Sequence, residues 1–149
     1  MNPLMIAAIA AAFVAGTLVA LQAPTNALLA RAVGSPVNAA FVSFLVGVLA
    51  LAVVAAGLGV KPNIGAARAL PWYAWIGGLY GAVFVAVAAF AAPRMGITFF
   101  LIVGIGGQLA MAVLLDKIGA FGLAPQEIGV GRILGLVLVV AGAWLVQNR

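Results

Sequence analysis

The sequence predicts an all-α integral membrane protein with five transmembrane helices and almost no water-soluble mass. Three observations carry this. Hydrophobic residues make up 67% of the 149 positions and charged residues only 6%, where a soluble domain carries about a quarter charged residues. The apolar residues fall into separate runs near the roughly 20 residues that one bilayer crossing needs. The segments between the runs are short and hold most of the charges and turn-forming residues. Runs of this length do not resemble the alternating strands of a barrel, so helices are the remaining spanning option.

The first predicted span covers residues 3–31, with no charge before Arg31. It is too long and too uncharged at its start for a secretory signal and reads as a membrane crossing. Pro24 is the predicted helix break, because its ring removes a backbone donor and clashes with the carbonyl four residues back. The second span covers residues 36–57. Ser35-Pro36 is a start signal, Ser as N-cap and Pro at the first helical position, and Gly57-Leu58-Gly59 ends it. A polar stretch from Lys61 to Leu70 follows. The third span covers residues 72–91, anchored at headgroup level by Trp72, Tyr73 and Trp75 and closed by Pro93-Arg94. The fourth covers residues 96–115 and stops at Asp116-Lys117. The fifth covers residues 129–146, anchored by Trp144 and capped by Gln147-Asn148-Arg149. The whole chain, 1–149, reads as one transmembrane domain.

Composition excludes several functions. The net charge is +5, but it reflects scarce acids. No two of the seven Lys and Arg residues are adjacent, so no patch tracks a nucleic-acid backbone. The absence of Cys and His rules out disulfides, thiol chemistry, His-ligated metal sites and a histidine switch. There is no phosphate-binding glycine motif with a following Lys and no nucleophile–base pair. The sequence therefore predicts no enzyme activity, no cofactor and no metal.

With five spans, Lys61, Arg68, Lys117 and Arg132 fall on one side of the membrane and Arg31, Arg94 and Arg149 on the other. Lys/Arg bias orients membrane proteins, and here it nearly vanishes. Either a modest bias is enough to orient the chain, or the topology is dual, with copies inserting both ways. Transporters commonly place a site between two inverted halves. An odd number of spans cannot supply both halves, but an antiparallel homodimer of ten helices can.

Polar side chains inside the spans are the candidate contacts, because a lone polar group in hydrocarbon is costly. Gln22 and Asn26 are four apart and share one helical face, with Pro24 between them, as a site for a polar ligand or as a structural cluster that satisfies the kink. Gln108 lies mid-span on the fourth helix, as an interhelical hydrogen-bond partner or a ligand contact. Asn38, near the start of the second span, caps it or lines the mouth. Tyr80 forms an i, i+4 pair with Phe84, as packing or as an aromatic wall. Small residues at spacing four (Ala39, Ser43, Gly47; Gly77, Gly81; Gly131, Gly135) allow close helix packing. No acid lies within a span, so a carboxylate-driven proton exchanger is not indicated. Arg132 is read as snorkelling to the interface, or, if buried, as facing an anionic ligand.

The segment GTLVALQAPTN, from Gly16 to Asn26, resembles the first-helix signature of the YdcZ-type family. APRMGITFFLIVGIGGQLAMAVLLDKIGAFG, from Ala92 to Gly122, resembles that family's Pro-Arg, Gly-Gln and Leu-Leu-Asp segment, and Arg132-Ile-Leu-Gly135 fits the start of its last helix. The resemblance covers essentially the whole chain. It implies a half-size member of the drug/metabolite transporter superfamily, in the inner (plasma) membrane, with a pocket between inverted halves. By that resemblance Gln22, Asn26 and Gln108 are the polar contacts. The chain lacks the first-helix Glu of the small multidrug resistance proteins, so cation export coupled to protons is not carried over.

The expected function is small-molecule transport by alternating access in an antiparallel homodimer, with a neutral or weakly polar substrate and the lipid bilayer as surroundings. Two other readings stay open at this point: a dual-topology ion channel, and a non-transporting helper that packs against another membrane protein.

Overall fold

The computed structural model describes residues 2–147. The predicted caps Asn148 and Arg149 lie outside them. Among the described residues the regular structure is entirely helical, and five helices are long and apolar enough to cross a membrane. In order they are α1 (Pro3–Val33), α2 (Pro36–Gly57), the short α3 (Ile64–Arg68), α4 (Gly77–Met95), α5 (Ile97–Ile118) and α6 (Val130–Gln147). All but α3 are spans. The chain forms two compact units, Met1–Arg94 and Met95–Arg149.

In the first unit, α1 starts at Asn2, whose Oδ1 accepts the Leu4 amide at 3.0 Å, with Pro3 at the first helical position. The helix runs 31 residues, through Pro24, to Val33. The predicted break at Pro24 is thus corrected to a continuous helix. Pro24 takes one donor away from the ladder, while the next residue, Thr25, donates its hydroxyl to the Leu21 carbonyl at 2.8 Å. That bond falls on the carbonyl next to Ala20 O, the one that loses its donor, and membrane helices tolerate a proline of this kind. At 1.5 Å per residue α1 is about 46 Å long, more than the roughly 30 Å of a hydrocarbon core, so tilt or overhang takes up the excess length.

Gly34 reverses the chain at φ +86, a left-handed conformation that costs glycine little. Ser35 then caps α2, its Oγ accepting the Asn38 amide at 3.0 Å. The boundaries of α2 coincide with the predicted ones. Its end is a Schellman turn: the Gly59 amide reaches Ala56 O at 3.1 Å and the Val60 amide reaches Ala55 O at 3.0 Å.

The third span starts later than predicted. Trp72–Trp75 forms a 3-10 turn after Pro71, and the α-helix begins at Gly77. Pro71 fixes an extended entry, and the Ala74 amide closes back on its carbonyl at 3.0 Å, a tighter turn than an α-helix makes. Trp72 and Trp75 stand exposed on that turn, and Trp72 packs edge-on against Tyr73 at 6.1 Å. Pro93 does not close α4, which continues to Met95. There the Arg94 guanidinium donates to the Phe90 carbonyl and lies over the Phe90 ring.

Within this unit the second half of α1 packs against the start of α2. The buried residues are mostly alanines: Ala23 and Ala27 on α1, Ala39 and Ala40 on α2, and Ala88, Ala89 and Ala92 with Val85 on α4. Small side chains let membrane helices approach closely, where dispersion rather than water exclusion holds them. Gly81 of α4 receives the Phe44 ring of α2. A Cβ at Gly81 would lie 3.1 Å from Phe44 Cζ.

In the second unit α5 packs against α6, with Val139 beside Gly106. The helix α5 extends to Ile118, past the predicted stop at Asp116-Lys117, and ends at Gly119 with φ +61. A Cβ there would fall 2.8 Å from Pro125 Cγ and 2.9 Å from Leu123 O, so both backbone angle and space require glycine. The Gln126 amide donates to Asp116 O at 2.8 Å, folding the loop back onto the end of α5.

Candidate functional site

The second half of α1 carries the polar face. Its inward stripe is Ala23, Asn26, Ala27 and Ala30, the i, i+3, i+4, i+7 pattern of one helix side. Asn26 is 2% exposed, the one buried polar side chain among the described residues. Gln22, one turn earlier, is half-buried. Among the described residues the Asn26 side chain has no hydrogen-bond partner, and no side-chain polar atom is both sealed from the surface and unpaired. The small opening that Asn26 keeps is therefore at its amide group. An amide taken from water without a partner costs about 1–3 kcal/mol by protein mutational data, so its polar atoms stand ready for one. Pro24 adds to this face, because without its N–H the Ala20 carbonyl lacks its usual i+4 donor.

The depth is appropriate. Gln22 lies 11 residues before Val33, about 16 Å from the end of α1. In the second unit Gln108 is the twelfth residue of the 22-residue α5. Gln108 is exposed and has no hydrogen-bond partner among the described residues. An uncharged amide on the outer surface in mid-span calls for a partner beyond its own unit.

The other predicted residues are placed differently. The Asn38 Nδ2 donates to the Val33 carbonyl at 3.0 Å, which satisfies an orphan acceptor at the end of α1. Of the two roles considered for Asn38, the structure gives it a capping bond, directed to the preceding helix. Tyr80 is exposed on α4 and Phe84 is half-buried. The structure thus brings Gln22 and Asn26 onto one face, while Asn38 sits at the α1–α2 turn and Tyr80 on an outer surface.

Sequence reasoning missed the partner of Arg132. Its Nη1 lies 3.0 Å from Asp116 Oδ2, and its Nη2 reaches Gln126 Oε1 at 3.5 Å. The pair borders an apolar recess of about 440 Å³ between α5 and α6. The readable signal was opposite charges flanking a single loop, Asp116 at the end of one helix and Arg132 at the start of the next. The guanidinium is committed to a carboxylate, so the reading of Arg132 as facing an anionic ligand is not supported.

A family described as "Putative inner membrane exporter, YdcZ" matches residues 7–145. No curated protein matches the chain, and no solved structure does. The matched region runs from the first turns of α1 to the last turn of α6, with all five apolar helices inside it or overlapping it. The chain belongs to the YdcZ family and is a multi-pass protein of the inner membrane.

Proposed function

We propose that the protein is a small-molecule exporter that works by alternating access as an antiparallel homodimer, with its 149 residues forming one transmembrane domain per copy. The observation that carries this reading is Asn26: a nearly buried amide with no hydrogen-bond partner among the described residues, beside Gln22 and Pro24 on an alanine-lined face. A polar group kept unsatisfied in a membrane helix is expensive, and a ligand that arrives and leaves is the economical reason to keep it.

Membership in an exporter family supports transport. The inverted pairing is supported by the odd number of spans and by the near balance of Lys and Arg on the two sides. It is also supported by Gln108, whose exposed mid-helix amide needs a partner that a second copy could supply. Two copies of Gln22, Asn26 and Gln108 would line the site, and rocking of the two copies would open it to either side. The groups offered are amides and carbonyls without a fixed charge, which suits a neutral or weakly polar substrate.

The test is a single-Cys series in native membranes, with one Cys at residue 2 and another after Arg149, on a chain that has no other Cys. Labelling of both ends by an impermeant thiol reagent in about half of the molecules is expected. Full labelling of one end and none of the other would remove the antiparallel homodimer. Saturable flux in liposomes, at carrier rather than channel rates, is the matching functional result.

A further inference from the structure

A second feature of the first unit adjoins the polar face of α1. At the membrane boundary where α1 and α4 end, a recess of about 420 Å³ is lined by Ala27, Ala30, Arg31, Ser35, Pro93 and Arg94, among others. Both arginines stand in the last turn of their helices. A lone Arg in such a place complements the negative end of the helix. Here two converge on one recess.

No acid balances them. Residues 1–94 contain no Asp or Glu, and the ion pair formed among the described residues is Asp116–Arg132 in the other unit. Arg31 has no hydrogen-bond partner among the described residues. Arg94 spends one donor on the Phe90 carbonyl and rests its plane on the Phe90 ring, which orients the fork. A guanidinium carries five N–H donors, so most of the donors here lack an acceptor.

The helix ends at the recess are of both signs: the C-terminal ends of α1 and α4 are negative and are faced by Arg31 and Arg94. The N-terminus of α2, with its Ser35 cap, borders the recess and carries the positive end of a 22-residue helix. The carbonyl at the end of α1, Val33 O, is occupied by the Asn38 amide. What remains is a concave recess with two cationic, planar forks beside the ends of two spans. Arginine forks match phosphate oxygens in two-pronged fashion.

The geometry points to a binding site for a phosphate-bearing anion, formed by Arg31, Arg94 and the Gly34-Ser35 turn. The anion is either the headgroup of an anionic lipid or a free phosphate compound, since the chemistry of recognition is shared. On α1 the site begins five residues beyond Asn26, toward the membrane boundary, so an occupant would brace α1 and α4 next to the polar face.

The test uses the full chain, delipidated in a neutral detergent, with the thermal-unfolding midpoint followed against phosphatidylglycerol, phosphatidylcholine and inorganic phosphate. Phosphatidylglycerol is expected to raise the midpoint and zwitterionic phosphatidylcholine to leave it in place. R31Q and R94Q should each weaken the apparent affinity about tenfold or more, while R68Q, on α3 outside the recess, should not. A rise with inorganic phosphate showing the same dependence on Arg31 and Arg94 would assign the site to a free anion. A rise with the lipid alone would assign it to a headgroup. The proposal is overturned if neither probe shifts the wild-type chain, or if R68Q loses as much affinity as R31Q. Should a Gln variant lose its helicity, R31K/R94K takes its place: it keeps both charges and removes the forks, so weaker binding supports the site and unchanged binding overturns it.

Discussion

Arg132 Nη1 and Asp116 Oδ2 lie 3.0 Å apart and tie the first turn of α6 to the last full turn of α5. Both side chains are more than a third exposed, so the bond is partly screened. Its worth is on the order of 1 kcal/mol or less. A double-mutant cycle of D116N and R132Q, read by thermal unfolding, should give a coupling of that size that shrinks with added salt. A coupling several times larger would mean that the pair is desolvated in the membrane.

The loop between these helices depends on Gly119. G119A places a Cβ within 2.8 Å of the Pro125 ring at a positive φ and should destabilise by about 1–3 kcal/mol, through strain and crowding together. G122A meets open space at φ +79 and should cost only about 1 kcal/mol, from the backbone angle alone. Equal losses in the two variants would show that the Pro125 contact does not constrain the turn.

Gly81 and Phe44 make a second steric prediction. G81V should lower thermal stability by about 1–3 kcal/mol by displacing the ring. G81A asks the ring to yield only a few tenths of an ångström and should cost less. Adding F44A to G81V should recover part of the loss. Absence of any recovery would mean that α2 and α4 do not rely on this contact.

Asn26 distinguishes a ligand site from a structural one. An apolar side chain of similar shape in place of an unpartnered buried amide is neutral or stabilising, so N26L should keep or raise the unfolding midpoint. The same variant should abolish transport in liposomes. A marked loss of stability would show that the amide is a structural hydrogen-bonding group and would withdraw it from the site.

Much of the fold was legible along the chain. Ser35-Pro36 and the glycines at 57 and 59 marked α2 at the observed boundaries, because caps and turns are made by neighbours in sequence. The errors fell at prolines. Pro24 and Pro93 are strong breakers by local rule, yet both lie inside helices. In hydrocarbon an interrupted helix would expose more unpaired backbone than a proline removes. The third span was misplaced for a related reason, since the aromatic run at 72–75 is as apolar as a helix but turns more tightly after Pro71.

The sequence by itself determined that five segments enter the membrane, because hydropathy is a sum over adjacent residues and needs no partner. It also placed Gln22 and Asn26 on one face, because helical periodicity is local. Only the tertiary structure decided what those side chains meet. It buried Asn26 with no partner among the described residues, directed the Asn38 amide to Val33, paired Arg132 with Asp116, and gathered Arg31 and Arg94 around one recess. The burial of Asn26 and the gathering of Arg31 and Arg94 depend on distances through space between residues far apart in the chain, and the Asn38 and Arg132 bonds on how the chain turns between two helices; no hydropathy sum contains either.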